Sequence, residues 1–397
     1  MGKITRLFFA VLFLCCTAIL PAPAEIVLPP DVMDAAKVGI NGVYSLDFQT
    51  AQENIEQVFA KYPDHPFAHF GNAMIAWSRY EYEFETSDEQ QRKVFEKILD
   101  ESIDGIKRWL KQNPDDPNGY MGIGALYGLR AMFNMRNRNW VTAYFTGRKA
   151  ISNLEKSLKL DPTYYDAYFG LGIYEYFAGT LPSVIKVLAK IVAIKGDPAR
   201  GVAFLNRSRE KALFTGDSSK LILIQVQNTR GSKFYAPEKS LEYIRELHQK
   251  FPNNPLMRYV EIICLYETGD LDGVSAKAQE FLGLIGSNSF YKDIYIPRAY
   301  TALGTAEMAK GNFEKARTLF EEGAEKIKTQ APSRWGVWNA LRLGQVYDVL
   351  GNREKAQEQY KYVLSFKDKW GFDDLAKKGL KTAYTVPADG VGPLPPL

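Results

Sequence analysis

Pro297 to Lys328 reads PRAYTALGTAEMAKGNFEKARTLFEEGAEKIK, and this stretch decides the fold that we predict for the whole chain. Gly311 supplies the left-handed residue that ends a helix, and Asn312 is a suitable N-cap for the next helix. On both sides of this turn the apolar residues recur at helical spacing, namely Ala299, Leu303, Ala316, Leu319, Phe320 and Ala324. These stripes are too narrow to be buried by two helices alone. The stretch therefore predicts a helix pair that needs stacked neighbours, which is a solenoid.

Turn signals of the same kind recur along the chain. The Pro-x-x-Pro pattern occupies 63–66, 114–117 and 252–255, and 161–162 is a shortened copy. Proline cannot continue a helix but suits its first turn, so each signal marks one helix end and the next helix start. A further boundary is predicted near Thr215-Gly216-Asp217-Ser218. The predicted helix pairs are 32–63, 66–114, 117–162, 165–215, 218–252, 255–287, 291–328 and 333–369.

The spacing of small and aromatic residues in these pairs resembles that of the tetratricopeptide-repeat family. Leu303 and Gly304 stand at the family's Leu-Gly positions, and Gly39 stands at a family position in the first pair. The eighth pair matches the family at Leu343, Gly344, Tyr347, Gly351, Ala356 and Tyr360. The resemblance implies an all-α, right-handed superhelical solenoid of about eight helix pairs.

The predicted organisation consists of two solenoid halves, a closing helix within the second half, and a tail. We divide the solenoid into an N-terminal half, 25–217, with long helices or inserts, and a C-terminal half, 218–384. A closing helix over 372–384 carries lysines that suit the solvated face of a terminal cap. Four prolines and two glycines after Thr385 predict disorder for the tail, 385–397.

The first 24 residues have the pattern of a signal peptide. A basic start is followed by the apolar run Leu7 to Leu20 and then by Pro21-Ala22-Pro23-Ala24, whose small-x-small ending suits signal peptidase. We expect cleavage after Ala24 and export to the periplasm of a Gram-negative-type envelope, although eukaryotic secretion would accept the same signal. A retained anchor is an alternative, but the run of about 14 residues is shorter than the roughly 20 of a spanning helix. A lipoprotein is a further alternative.

Charge, cysteine content and motifs argue against several function classes. The formal net charge of +4 is not the marked basic excess of nucleic-acid-binding proteins, so we expect no nucleic-acid partner. Only Cys264 remains after signal cleavage, in an apolar run that predicts a buried residue rather than a reactive thiol. His65 and His69 lack the flanking carboxylate of a helical metal site. No nucleophile or cofactor motif is present, so we predict no enzyme, no metal and no cofactor.

The tetratricopeptide resemblance implies that ligands lie along the concave surface lined by the first helix of each pair. Phe169, Ile173 and Tyr176 share one helical face, and ordinary packing between repeats is the alternative role for these three. The full predicted set is Phe169, Ile173, Tyr176, Arg298, Thr305, Met308, Trp338, Gln345 and Asp348. The implied function is a non-catalytic scaffold that binds a protein or peptide partner in cell-envelope assembly or maintenance.

A basic amphipathic segment, 184–194, follows Leu181-Pro182 and suggests a second hypothesis. It is too short to span a bilayer. It either contacts the membrane surface or packs on the solenoid with its lysines in water. The residues proposed to contact lipid are Val184, Lys186, Val187, Leu188, Lys190 and Ile191. The region 164–207 also resembles the Iml2 and tetratricopeptide-39 family, through Gly172, Leu181-Pro182, Gly196-Asp197, Gly201 and Leu205. That resemblance implies a lipid-related role at an organelle surface.

Basic and aromatic residues alternate from Arg130 to Trp140, and Arg148-Lys149 follows. This mixture suits an acidic peptide, a phosphate group or a glycan. The alternative is a solvated helix face over an aromatic core.

Overall fold

The computed structural model describes residues 28–84, 88–137, 139–180, 196–367 and 369–394. Over these residues the chain is helical, with one short 3₁₀ turn at Asp293–Tyr295 and no strand. The described helices are α1 Pro30–Ser45, α2 Phe48–Lys61, α3 Pro66–Phe84, α4 Glu89–Gln112, α5 Pro117–Arg136, α6 Trp140–Leu160, α7 Ala167–Gly179, α8 Pro198–Lys211, α9 Gly216–Gln227, α10 Pro237–Lys250, α11 Pro255–Glu267, α12 Leu271–Leu284, α13 Ile296–Ala309, α14 Phe313–Ile327, α15 Arg334–Val349, α16 Arg353–Leu364 and α17 Asp373–Lys381.

The helices α1 to α16 form eight consecutive pairs, and α17 follows as a terminal helix. Each described helix packs against the next one along the chain, and several first helices also pack against the first helix of the next pair. This arrangement confirms the predicted all-α solenoid. The handedness of the superhelix and the number of pairs along the whole chain stay predictions, since residues 181–195 lie outside the described part.

Several turn residues recognised in the sequence cap the helices as expected, but Asn312 holds its N-cap position without a capping hydrogen bond, because its Nδ2 donates to Glu307 Oε2 at 2.8 Å. The Asp116 carboxylate accepts hydrogen bonds from the N–H groups of Asn118 and Gly119, at 3.0 and 3.2 Å, before the first turn of α5. Gly311 and Gly351 have φ values of 81° and 78°, in the left-handed region that closes a helix C-terminus. The helix boundaries are therefore set by local turn chemistry.

Two family glycines let an aromatic ring of the second helix approach the first helix. A Cβ on Gly304 would lie 2.5 Å from Cε1 of Phe320, and one on Gly344 would lie 2.8 Å from Cε1 of Tyr360. Both distances are too short for real contacts, so a side chain at either position would displace the ring. Gly39 differs, because a Cβ there would meet no atom within 4 Å.

The N-terminal helices fold back against turns of the C-terminal half, which the sequence did not predict. The ring of Tyr44, in α1, stacks on Phe251 with 4.9 Å between ring centroids. The Nδ2 of Asn254 donates to the main-chain oxygen of Tyr44 at 2.7 Å. The hydroxyl of Tyr295 donates to the main-chain oxygen of Tyr82, in α3, at 2.6 Å. These contacts connect the first two pairs to the turns that flank the sixth pair.

The C-terminal tail contacts the protein up to Leu394, which differs from the disorder that its composition predicts. Val391 and Leu394 are 6% and 2% exposed and belong to the largest hydrophobic cluster. A turn closed by the Gly390 N–H and the Pro387 oxygen, 2.9 Å apart, precedes them. Composition predicts disorder when a segment has too few apolar residues to offset its ordering, but these two side chains reach a ready-made apolar surface.

Other sequence predictions concern residues that the structure does not describe. These are the signal peptide, 1–24, and the lipid-contact residues Val184, Lys186, Val187, Leu188, Lys190 and Ile191. Among the described helices, none combines the length and the apolar character needed to cross a membrane.

Candidate functional site

Two residues, Arg342 and Tyr266, bind the packed tail, and Trp338 and Gln345 contact the Arg342 guanidinium; we call these four residues the Arg342 groove. Trp338, Arg342 and Gln345 lie at positions i, i+4 and i+7 of α15, so they share one helical face. Tyr266 comes from the last turn of α11, two pairs earlier in the chain. All four are largely buried, with exposed fractions between 3% and 7%.

The groove binds the main chain of the tail. Arg342 Nη1 donates to the oxygen of Val391 at 2.5 Å, and its Nη2 donates to the oxygen of Pro393 at 2.8 Å. The hydroxyl of Tyr266 donates to the oxygen of Gly392 at 2.8 Å. Three consecutive carbonyl groups are therefore held by two side chains that lie on different helix pairs.

The guanidinium of Arg342 is buried without an ion-pair partner among the described residues. Its Nη1 also donates to Gln345 Oε1 at 2.9 Å, and its Cζ lies 5.2 Å from the centroid of the Trp338 ring. Burial lowers the pKa of this guanidinium, but arginine stays protonated in proteins. A buried cation that has only neutral acceptors is costly, so the bound carbonyl groups contribute directly to keeping this charge inside the protein.

Asp348 holds the end of the solenoid together beside the groove. Its side chain is 0% exposed and accepts hydrogen bonds from Arg353 Nη1, the Tyr360 hydroxyl and the Tyr384 N–H, each at 2.8 Å. Arg353 Nη2 also donates to two main-chain oxygens near the end of α17, both at 2.7 Å. Burial, together with the bond to Asp348, raises the pKa of Tyr360 well above its usual value. This network fixes the start of the tail, whereas the Arg342 groove holds its far end.

The predicted residues of α13 lie in packed surroundings. The guanidinium of Arg298 lies over the rings of Tyr295 and Trp335, with its Cζ 4.8 and 5.2 Å from the ring centroids. Thr305 and Met308 are 0% and 1% exposed. The Thr305 hydroxyl is buried without a hydrogen-bond partner among the described residues.

The structure brings together only some of the nine predicted groove residues. Trp338, Gln345 and Asp348 meet at or beside the Arg342 groove. In contrast, Phe169 and Ile173 are partly buried against a separate hydrophobic cluster, and Tyr176 belongs to that cluster with 4% exposure. A partner-binding role for the nine residues stays a prediction.

Sequence reasoning missed Arg342, Tyr266 and the tail itself. Arg342 could have been predicted from the sequence, because the register that selected Trp338 and Gln345 places it on the same helical face. Tyr266 and the tail carried no such signal, since their relation to α15 depends on how separate pairs stack.

Two further candidates raised by the sequence are the thiol of Cys264 and a metal site. Cys264 is fully buried, and burial raises the pKa of its thiol to about 12, which confirms the prediction of a buried residue. Within the described part of the chain, no cluster of three or more His, Cys, Asp or Glu residues is placed to hold a metal ion.

No model of a known protein family matches the sequence, and neither does any curated protein. Solved structures are similar in fold. The crystal structure of the APC/C hetero-tetramer Cut9-Hcn1 is 11% identical and has a TM-score of 0.51, over 89% of this chain and 55% of that chain. This chain thus spans about half the length of that protein.

Two further structures have lower TM-scores. The human IFIT1 dimer with PPP-AAAA is 12% identical, with a TM-score of 0.48 over 90% of this chain and 86% of that chain. A tetratricopeptide repeat protein from Parabacteroides merdae is 13% identical, with a TM-score of 0.32 over 75% of this chain and 94% of that chain. At these identities the similarity concerns the fold alone. Together with the paired helices and the glycine contacts described above, the similarity to the Cut9-Hcn1 structure shows an all-helical solenoid, similar in fold to tetratricopeptide-repeat proteins.

Proposed function

We propose that the protein is a non-catalytic scaffold that binds an extended polypeptide segment in the Arg342 groove. The observation that supports this proposal is the binding of three consecutive main-chain carbonyl groups by Arg342 and Tyr266. Contacts to the main chain supply affinity for many sequences, while pockets for individual side chains supply selectivity. The groove has both features, because Val391 and Leu394 are buried beside the bound carbonyl groups.

We place this function outside the cytoplasm, within cell-envelope assembly or maintenance. The signal-peptide pattern of residues 1–24 supports export. Sequencing the N-terminus of the protein isolated from its own organism tests this part of the proposal. We expect the mature chain to begin at Glu25, and an intact Met1 would contradict it.

Affinity purification from cross-linked envelopes tests the groove. The bait is the tagged mature protein, compared with a variant carrying Tyr266→Phe and Arg342→Met. Arg245→Met is the matched control, because it also removes a guanidinium but from a side chain that is 61% exposed. We expect a stoichiometric polypeptide with the wild type and the control, and its loss with the groove variant. Circular dichroism and thermal melting check that each variant is folded. A partner that persists with a folded groove variant would move the binding site elsewhere.

A second candidate function, association with an anionic membrane surface, is favoured by an exposed patch at the start of α6. Trp140, Val141 and Phe145, here called the α6 patch, are 41%, 69% and 57% exposed. From Pro117 to Leu154 the sequence has five basic residues and no carboxylate. Arg130 and Arg136 pair with Asp100 and Glu81. The described charge near the patch therefore comes from Arg148 and Lys149. Exposed apolar side chains close in sequence to basic residues that form no ion pair within the described part of the chain suit the interface of a membrane that contains anionic lipids.

Co-sedimentation with phosphatidylglycerol-containing vesicles tests this second candidate. We expect Val141→Glu with Phe145→Glu to abolish sedimentation, and Val94→Glu, an exposed apolar position on α4, to leave it unchanged. A third variant, Val187→Glu with Leu188→Glu, asks whether the segment 184–194 binds lipid instead. If wild type does not sediment with these vesicles, the membrane function is wrong.

A further inference from the structure

The tail segment Val391-Gly392-Pro393-Leu394 is bound to the Arg342 groove in the way expected of a peptide ligand. We infer that this segment is an internal ligand, which a partner carrying an apolar-Gly-Pro-apolar sequence displaces. The inference rests on the proposed function, since it identifies the occupant of the same groove and the class of partner.

The segment is attached to the solenoid by an exposed tether. Tyr384 is held by Asp348 through its main-chain N–H. Residues 385–390 are all exposed, and burial returns only at Val391. The bound segment is therefore separated from the last firmly held residue by a stretch that makes few contacts. Such a segment is able to detach without disturbing the helices, because no helix depends on it for its own hydrogen bonds.

The conformation of the segment indicates which sequences fit. Gly392 has a φ of 80°, a left-handed value that L-residues rarely adopt. A Cβ at this position would lie 3.7 Å from Arg342 Nη2, which is an ordinary contact, so the preference for glycine is conformational rather than steric. Val391 and Leu394 are buried on either side, whereas Pro393 is exposed. Proline restricts its own φ and so reduces the entropy lost on binding.

The buried charge of Arg342 explains why the groove favours a bound segment that offers carbonyl groups. The guanidinium of Arg342 has no carboxylate partner among the described residues, and two of the three hydrogen bonds that it donates go to main-chain oxygens of the tail. A partner that offers carbonyl groups at the same places restores these contacts when the tail leaves. Because a short tether gives the tail an effective concentration of about millimolar, the tail is a strong competitor at the groove.

A fluorescent peptide of residues 386–394, VPADGVGPL, measures this competition by fluorescence anisotropy with the full chain. In the variant carrying Val391→Ser and Leu394→Ser, here called tail-released, the tail keeps its carbonyl groups but loses both buried side chains, so it should compete much less strongly for the groove. We expect saturable binding of the peptide to this variant, and binding at least about 10-fold weaker to the wild type. Val386→Ser is the matched control on the same tail, since Val386 is 40% exposed, and it should behave as the wild type.

Variants of the peptide test the proposed sequence class. Replacement of its Gly392 by Ala should weaken binding by about 5- to 30-fold, because a left-handed conformation is costly for an L-residue. Replacement of its Leu394 by Ala should also weaken binding, while replacement of its Val386 by Ala should not. Adding Arg342→Met to the tail-released protein should abolish binding, with circular dichroism as the check of folding.

Two results would overturn the inference. One is the absence of peptide binding to a folded, tail-released protein, which would make the tail a permanent part of the fold. The other is equal binding to the wild type and the tail-released variant, which would show that the tail does not compete. Neither result would refute the proposed function. That function is tested by the affinity purification described above, in which loss of a polypeptide on groove substitution would still support it.

Discussion

Replacing Asp348 by Asn should destabilise the last helix pair and α17 by about 3 kcal/mol. The carboxylate has two oxygens that accept from three donors: Oδ1 from Arg353, and Oδ2 from Tyr360 and the Tyr384 N–H. The amide of Asn has only one oxygen, so its NH₂ must face either Arg353 or the Tyr384 N–H. In both orientations two hydrogen-bond donors face each other, and one of them loses its acceptor.

The magnitude follows from these contacts. One buried donor left without an acceptor costs about 1–3 kcal/mol. Loss of the charge opposite Arg353 adds about 1 kcal/mol rather than the full cost of a buried pair, because the Arg353 side chain is 33% exposed and keeps its carbonyl partners at the end of α17.

Hydrogen exchange is the suitable assay, because a repeat array opens locally and a single unfolding free energy is poorly defined. We expect faster exchange in α16 and α17 and unchanged exchange in α9. Asp272→Asn is the matched control, since that carboxylate is 95% exposed and solvent screens its pair with Lys310, at 2.7 Å, so the pair should contribute little to stability. If Asp348→Asn accelerated exchange in α16 and α17 no more than the control does, the reasoning would be refuted.

Two further predictions concern close packing and pH. Gly304→Ala should lower stability by about 1–3 kcal/mol, because its Cβ overlaps the ring of Phe320. Gly39→Ala should raise stability by up to about 1 kcal/mol, because its Cβ meets no atom within 4 Å. Thermal melting compares the two variants, and equal shifts of the melting midpoint would contradict the packing argument. Burial lowers the pKa of His65 and His69 below 6.5, so the stability from their neutral rings is present above about pH 6.5 and is lost as the pH falls. Melting midpoints should therefore fall between about pH 7.5 and 5.5, less so in His69→Gln, and a midpoint that rises on acidification would contradict this.

Most of the helix pairs could be predicted because their signals are local. A proline or an aspartate at a helix start acts on groups within one turn, as Asp116 does for α5. A left-handed glycine such as Gly311 ends a helix without help from other repeats. The apolar spacing then shows that each pair needs neighbours, so the solenoid follows from the same local information.

The candidate site could be predicted only in part. The repeat register selected Trp338, Gln345 and Asp348, and the structure places all three at or beside the Arg342 groove. The same register did not show that the Asp348 carboxylate accepts hydrogen bonds from three groups inside the protein. It also gave no sign that Phe169, Ile173 and Tyr176 pack in a different cluster. Register reports which face a residue occupies, but the stacking of whole pairs decides what covers that face.

The sequence by itself determined the all-helical class, the positions of the turns and the need for stacked pairs, because each depends on residues a few positions apart. Only the tertiary structure decided that α1 meets the turn at Asn254, 210 residues from Tyr44, and that Tyr266 binds the tail at Gly392, 126 residues away. Small rotations between successive pairs accumulate along a solenoid, and their sum sets which distant residues meet. No local sequence pattern encodes that sum. The contacts between the N-terminal helices and the C-terminal half, and the binding of the tail in the Arg342 groove, are therefore seen only in the folded protein.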